Sequence, residues 1–187
     1  MSKKEFFDII DENGNKTGVI KERSLVHRDG DLHAASHIWI ARKNPETNET
    51  EVLLQLRSSD KDSHPSCFDT SCAGHLSAGD TYEQGALREL YEELGIKADP
   101  SELKFLFKMR TSSHNIFYGK PFNDNQINKV YLLKRDVDIS QITPDPAEIR
   151  LVKWQSYNEV LKKLRNGGKH YCTNLEEFEA LRKFLQF

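Results

Sequence analysis

Hydrophobic and polar positions follow two rhythms along this chain. Over residues 6–21, two β-capable runs, Phe6-Phe7-Asp8-Ile9-Ile10 and Thr17-Gly18-Val19-Ile20, flank the turn residues Asn13-Gly14-Asn15. That arrangement predicts a hairpin. Further short β-capable runs fall at residues 37–41, 51–57, 103–109, 129–134 and 150–154. Helical spacing appears in three places. Residues 82–94 open with Thr81 and Gln84, a capping box, and close at Gly95. Residues 157–165 carry the same device in Ser156 and Glu159 and end at Gly167-Gly168, and residues 175–185 open with Thr173 and Glu176. Two polar stretches read as loops: 58–71, broken by Pro65, and 114–128, which holds Gly119 and Pro121. A loop as long as the second is expected to be a substrate lid or a homodimer contact. Strands and helices do not alternate regularly. The predicted class is therefore α+β, or a layered α/β/α sandwich, rather than a doubly wound sheet.

Composition narrows this picture only a little. The chain has 187 residues, 37% of them hydrophobic, which suits one domain with an ample core. Twenty-seven Lys and Arg against 29 Asp and Glu leave a formal charge of −2, so there is no basic footprint for duplex nucleic acid. The longest apolar runs, such as Val52-Leu53-Leu54, are too short to span a membrane. No apolar segment follows the polar start Met1-Ser2-Lys3-Lys4-Glu5, so no secretory signal is expected. Three cysteines without a CxxC spacing, Cys67, Cys72 and Cys172, suggest reduced thiols and a cytoplasmic address.

The chemistry concentrates on the first predicted helix. Positions three and four apart share a helical face, so Glu89 lies beside Glu92 and Glu93 while Ala86, Leu90 and Leu94 form an opposite apolar stripe. Clustered carboxylates repel one another unless a cation offsets them. A hard divalent ion such as Mg²⁺ or Mn²⁺ does so with oxygen ligands, and it also bridges to substrate phosphates. The alternative is a solvated acidic face with Arg88 and Glu92 as an ordinary i,i+4 pair.

The upstream residues weigh against that alternative. Gly74 stands six residues before Asp80 and Asp80 eight before Arg88, followed by Arg88-Glu89-Leu90-x-Glu92-Glu93-x-Gly95-Ile96. This resembles the Nudix box of the Nudix hydrolase superfamily, matching eight of its nine fixed positions, with Asp80 where the family has Glu. The resemblance implies the Nudix fold: an α/β/α sandwich with a mixed sheet. It implies a divalent-metal site with Glu89, Glu92, Glu93 and the Gly74 carbonyl as ligand candidates, and Glu89 or Glu92 as the base. Arg88 would orient a carboxylate, and Asp80 would support the metal's ligands with a shorter arm. The implied substrate is a small-molecule diphosphate, cleaved by water at phosphorus.

Beyond the box, the chain resembles the type I isopentenyl-diphosphate isomerases, which share the fold and carry a similar N-terminal hairpin. They have runs like His33-Ala-Ala-Ser-His-Ile-Trp39 and Leu56-Arg57, and they bind a metal partly through histidines, which points to His27, His33 and His75. Two features differ. Ala73 stands where the isomerases place a cysteine before Gly-His, and Ile127-Asn128-Lys129-Val130 replaces their Glu-x-Glu-Val strand. A 1,3-proton shift at carbon needs an acid–base pair that these positions do not supply. The expected activity is therefore a Nudix-type pyrophosphohydrolase acting on a nucleoside diphosphate derivative or related organic diphosphate. The alternatives are the isomerase and a non-catalytic diphosphate-binding regulator. Arg57, Lys61, His33 and His75 are substrate-binding candidates, and Glu148 is a candidate extra acidic group. The expected layout is a single domain: hairpin 5–21, core about 33–155 and helical tail 156–187.

Overall fold

The computed structural model describes residues 4–61, 63–117 and 119–186. The first three residues of the polar start and the last residue of the helical tail lie outside the described residues. Two strands, β1 (Phe6–Ile10) and β2 (Lys16–Glu22), form the antiparallel N-terminal hairpin. Its turn is fixed by Asp11, whose carboxylate accepts the backbone N–H groups of Asn13 and Asn15, both at 2.9 Å, with Gly14 at φ 85°. A short helix that the sequence pattern did not reveal, α1 (Arg23–Asp29), follows and ends at Gly30 in the left-handed region.

The body is one mixed sheet. It contains β3 (Leu32–Lys43), β4 (Thr50–Arg57), β5 (Phe68–Asp69), β6 (Cys72–His75), β7 (Leu103–Phe117), β8 (Lys120–Lys134) and β9 (Ile149–Ser156). The order is β5-β4-β3-β8-β7, with β6 beside β3 and β9 beside β4. Among the described strand pairs, β3 and β8 run parallel and the others are antiparallel.

Period-two alternation along the strands feeds two cores. Ile38, Ile40, Leu53, Tyr131 and Leu133 face α2 (Tyr82–Leu94), which answers with Ala86, Leu90 and Leu94. Trp39, Ala41, Val52, Leu54, Val130 and Leu132 face α3 (Tyr157–Arg165) and α4 (Leu175–Leu181), which bury Val160, Leu161, Phe178 and Leu181. The layering is helix, sheet, helices, as expected. Each fully buried leucine contributes roughly 1.5–3 kcal/mol. Glu177 of α4 ties the second layer to the sheet by accepting hydrogen bonds at 2.8 Å from both His37 and the Trp39 indole.

Three local expectations change. The stretch 114–128 is not a loop: it continues β7 and β8 as a paired hairpin, with Ser113 opposite Asp124 and Thr111 opposite Gln126. Its polarity mimicked a loop because this end of the ladder extends past the apolar helices. Its side chains bond to other elements instead. Asn123 and Asn125 donate to the Arg28 and Gly30 carbonyls and so hold α1 in place. At α3, Ser156 occupies the cap position but its hydroxyl makes no cap hydrogen bond. At α4 the cap is Asn174, not Thr173, and regular helix ends at Leu181, with a 3₁₀ turn, Arg182–Phe184, beyond it.

Candidate active site

The loop from β6 to α2 and the helix itself build the site. The capping box at the start of α2 forms in full: the Thr81 hydroxyl accepts the Gln84 N–H, and the Gln84 side chain accepts the Thr81 N–H. Gly95 stops the helix at φ 69°. Between these caps, Glu89 packs against the strand at Gly74. A Cβ added at Gly74 would lie 2.2 Å from the Glu89 carboxyl carbon. A side chain here would displace the Glu89 carboxylate, so the demand for glycine comes from contact and not from backbone conformation.

Arg88 fastens the arrangement. Its guanidinium donates to Glu89 at 2.8 Å, to Glu92 at 2.9 Å, to Asp80 at 3.3 Å and to the His75 carbonyl at 3.1 Å. The shorter arm of Asp80 still reaches it. Burial raises the Glu89 pKa, the Arg88 charge opposes that shift, and Glu92 adds to it.

Glu93 points inward, where it is 8% exposed. Its carboxylate accepts a hydrogen bond from Gln55 of β4 at 3.3 Å and lies beside the buried Cys72 thiol. Burial, reinforced by the Glu89 and Glu148 charges, pushes its pKa up to about 8. The same burial, with the Glu93 and Glu89 charges, keeps the Cys72 thiol neutral. Glu148, just before β9, ion-pairs with Lys61. Glu92 is the exposed member of the three glutamates, bonded only to Arg88. Arg57 turns aside: it donates to the carbonyl and hydroxyl of Ser63 and lies 3.6 Å from Asp69.

The histidines form a second centre. His27 from α1, His33 from β3 and His75 from β6 direct their Nε2 atoms at one oxygen of Asp124 on β8, at 3.5, 3.3 and 3.6 Å. The four candidate ligand atoms lie within 4.8 Å of one another. Phe7 of the hairpin stacks on His33 and His75, and Phe122 stacks on His27. Burial lowers the pKa of His27 and takes that of His75 down to about 3, so these imidazoles are neutral at pH 7. At 2.9 Å, His33 Nδ1 is placed to donate to the Asp31 carbonyl, which leaves its Nε2 facing the Asp124 carboxylate oxygen. The buried Nε2 atoms of both His27 and His33 lack a hydrogen-bond partner. Imidazole nitrogens gathered around a carboxylate are the donor set of a metal site.

His33 and His75, expected to flank phosphates, thus belong to this cluster. Asp124 and its neighbour Gln126, which donates at 2.7 Å to Asp124 and lies 2.9 Å from His75 Nε2, were missed in the sequence. The acidic position facing the histidines is residue 124, not the 127–130 stretch. The parallel register that puts Gln126 opposite His33 cannot be seen until β3 and β8 pair.

Comparison with known proteins agrees with this architecture. The chain is 45% identical over 159 residues to Nudix hydrolase 3 of Arabidopsis thaliana, covering 83% of this chain but only 20% of that protein. It is 28% identical to the isopentenyl-diphosphate Delta-isomerase of Pectobacterium atrosepticum, covering 83% of this chain and 79% of that one. Its fold is similar to the crystal structure of the Deinococcus radiodurans protein DR0079, with a TM-score of 0.70 at 20% identity, covering 96% and 98% of the two chains. The sequence profile of the NUDIX domain matches residues 33–175, which hold the Gly74 cradle, the three glutamates of α2 and three of the four residues of the histidine cluster. This chain belongs to the NUDIX domain family.

Proposed function

We propose that this chain is a Mg²⁺- or Mn²⁺-dependent pyrophosphohydrolase that cleaves the diphosphate linkage of a nucleoside diphosphate derivative or related organic diphosphate. The observation that carries this is the pair of Glu89, half-buried, and Glu93, buried, against β6 with a glycine cleared for Glu89. Burying two like charges side by side is costly without a cation. Glu89, Glu93 and the Gly74 carbonyl fit the oxygen preference of a hard divalent ion, with Glu92 at its solvent side. When bound, the ion supplies Lewis-acid stabilisation of the phosphate oxygens and lowers the pKa of the attacking water.

The remaining steps belong to the chain. Arg88 holds Glu89 in position, and Asp80 holds Arg88. Glu89 or Glu92 takes the proton of the water as its oxygen bonds to phosphorus. The bridging P–O bond breaks, and the leaving phosphate carries the electron pair away. Lys61, which pairs with Glu148 near Glu93, is the cation we assign to a diphosphate oxygen; Arg57, held by Ser63 and Asp69, would have to release those partners to join it.

A screen of nucleotide sugars, ADP-ribose, dinucleoside polyphosphates and prenyl diphosphates with Mg²⁺ tests the proposal. Glu92→Gln or Glu93→Gln should lower turnover by orders of magnitude while the unfolding midpoint shows an intact fold. Unchanged turnover in both would sink the assignment.

The histidine centre favours an isomerase as the second possibility. Imidazole donors suit a softer divalent ion than the glutamate site does, so the two sites differ in metal preference. Ala73 and the neutral Gln126 beside the cluster weigh against proton shuttling at carbon. Dimethylallyl diphosphate formed from isopentenyl diphosphate would decide for the isomerase.

A further inference from the structure

A cleft of about 310 Å³ lies between the turn of the N-terminal hairpin and the start of α2. It is on the opposite flank of α2 from the glutamates. Gln55, Cys72 and Gly74 belong to β4 and β6, on one side of β3, while the cleft is walled by Lys108 of β7 and Lys129 of β8, on the other. Ile10, Ala34 and Leu76, all buried, give it an apolar floor.

The charges around the cleft do not balance. Its two carboxylates are already matched, Asp8 with Lys16 at 2.8 Å and Asp80 with Arg88 at 3.3 Å. Lys108 and Lys129 have no carboxylate within ion-pair distance among the described residues. They are also direct cross-strand partners on β7 and β8, an arrangement that repels. Lys129 is fixed over the Tyr82 ring, 4.5 Å from its centroid, and lies 5.7 Å from that of Phe105. Tyr82 is itself anchored by its hydroxyl, which donates to the Ile127 carbonyl at 3.2 Å. Burial lowers the Lys129 pKa and the Lys108 charge lowers it further, while Glu83, too far for an ion pair, opposes the shift without reversing it; an anion that bridges both lysines relieves the remaining repulsion.

We propose that this cleft is a second anion-binding site, separate from the glutamate centre, that takes a small organic phosphate with its phosphate between Lys108 and Lys129 and its apolar body on Ile10, Ala34 and Leu76. The volume falls at the small end of ligand clefts, which run from about 300 to 1,000 Å³. The site does not depend on metal or on hydrolysis.

Phenyl phosphate serves as the probe, with isothermal titration calorimetry on the full chain in EDTA. Saturable binding is expected, weakening as sodium chloride is raised. Lys108→Gln with Lys129→Gln should weaken it by about tenfold or more, because two charge-assisted contacts are lost. Arg57→Gln with Lys61→Gln, on the other flank, should leave it as in the unaltered protein. The Lys108/Lys129 variant should keep a cooperative unfolding transition near that of the unaltered protein, the relieved repulsion offsetting the lost contact of Lys129 with the Tyr82 ring, and this separates lost binding from lost fold. An unchanged dissociation constant in that variant, no saturable binding in the unaltered protein, or loss only in the Arg57/Lys61 variant would each overturn the proposal.

Discussion

Substituting Gly74→Ala tests the contact that shapes the glutamate site. Gly74 has ordinary extended backbone within β6, so alanine costs nothing in conformation. Elsewhere such a change would stabilise by about 0.4–1 kcal/mol through the unfolded chain. Here the new methyl would sit 2.2 Å from the Glu89 carboxyl carbon and 2.5 Å from Cγ and Oε1, where ordinary contact begins at 3.4 Å. Glu89 must therefore retreat by about 1 Å or more, and a displacement of that size costs on the order of 100-fold in rate. Rotation of Glu89 away from the methyl would break its 2.8 Å hydrogen bond from Arg88, so the relief is opposed. Overpacking should cost about 1–3 kcal/mol of stability.

A double-mutant cycle with Glu89→Ala isolates the clash, read by urea unfolding in EDTA. In the Glu89→Ala background, Gly74→Ala should be neutral or stabilising. The coupling between the two sites should then be about 1–4 kcal/mol. An equal effect of Gly74→Ala in both backgrounds, or near-normal turnover of the single variant, would refute the cradle.

Other outcomes follow from the same geometry. Glu93, with its pKa pushed up to about 8, keeps its proton in the folded state where the unfolded chain has lost it. The folded state then binds more protons between the ordinary carboxylate pKa and that value, so metal-free stability should fall as pH rises through this window. Glu93→Gln should flatten the slope; an unchanged slope in urea unfolding across the window would contradict the assignment. The helix caps make a paired test by thermal or urea unfolding. Asn174→Ala removes a hydroxyl-free but real cap, the side-chain amide oxygen at 3.0 Å from the Glu177 N–H, and should cost about 0.5–2 kcal/mol. Ser156→Ala should cost almost nothing, because that hydroxyl makes no cap bond.

Local rules written in neighbouring residues were legible from the chain alone. The N-terminal hairpin, the bounds of α2 and its capping box, and the apolar stripe of Ala86, Leu90 and Leu94 all appear as expected, because turn chemistry, capping and helical periodicity act within a few residues. The spacing from Gly74 to Ile96 likewise carried the family. What the sequence could not decide depends on distant segments meeting. It placed three glutamates on one helical face, but only packing against β4 and β6 sends Glu93 inward and leaves Glu92 in solvent. The polar stretch 114–128 looked like a loop because side-chain polarity is silent about backbone pairing across a long ladder. The histidine centre draws one residue each from α1, β3, β6 and β8, so Asp124 acquires its meaning only when the parallel register of β3 and β8 brings it to His33. Local periodicity and capping determined the N-terminal hairpin and α2, but not α1 or the far end of the β7–β8 ladder. Long-range strand register, which sets what each side chain faces, decided its sites.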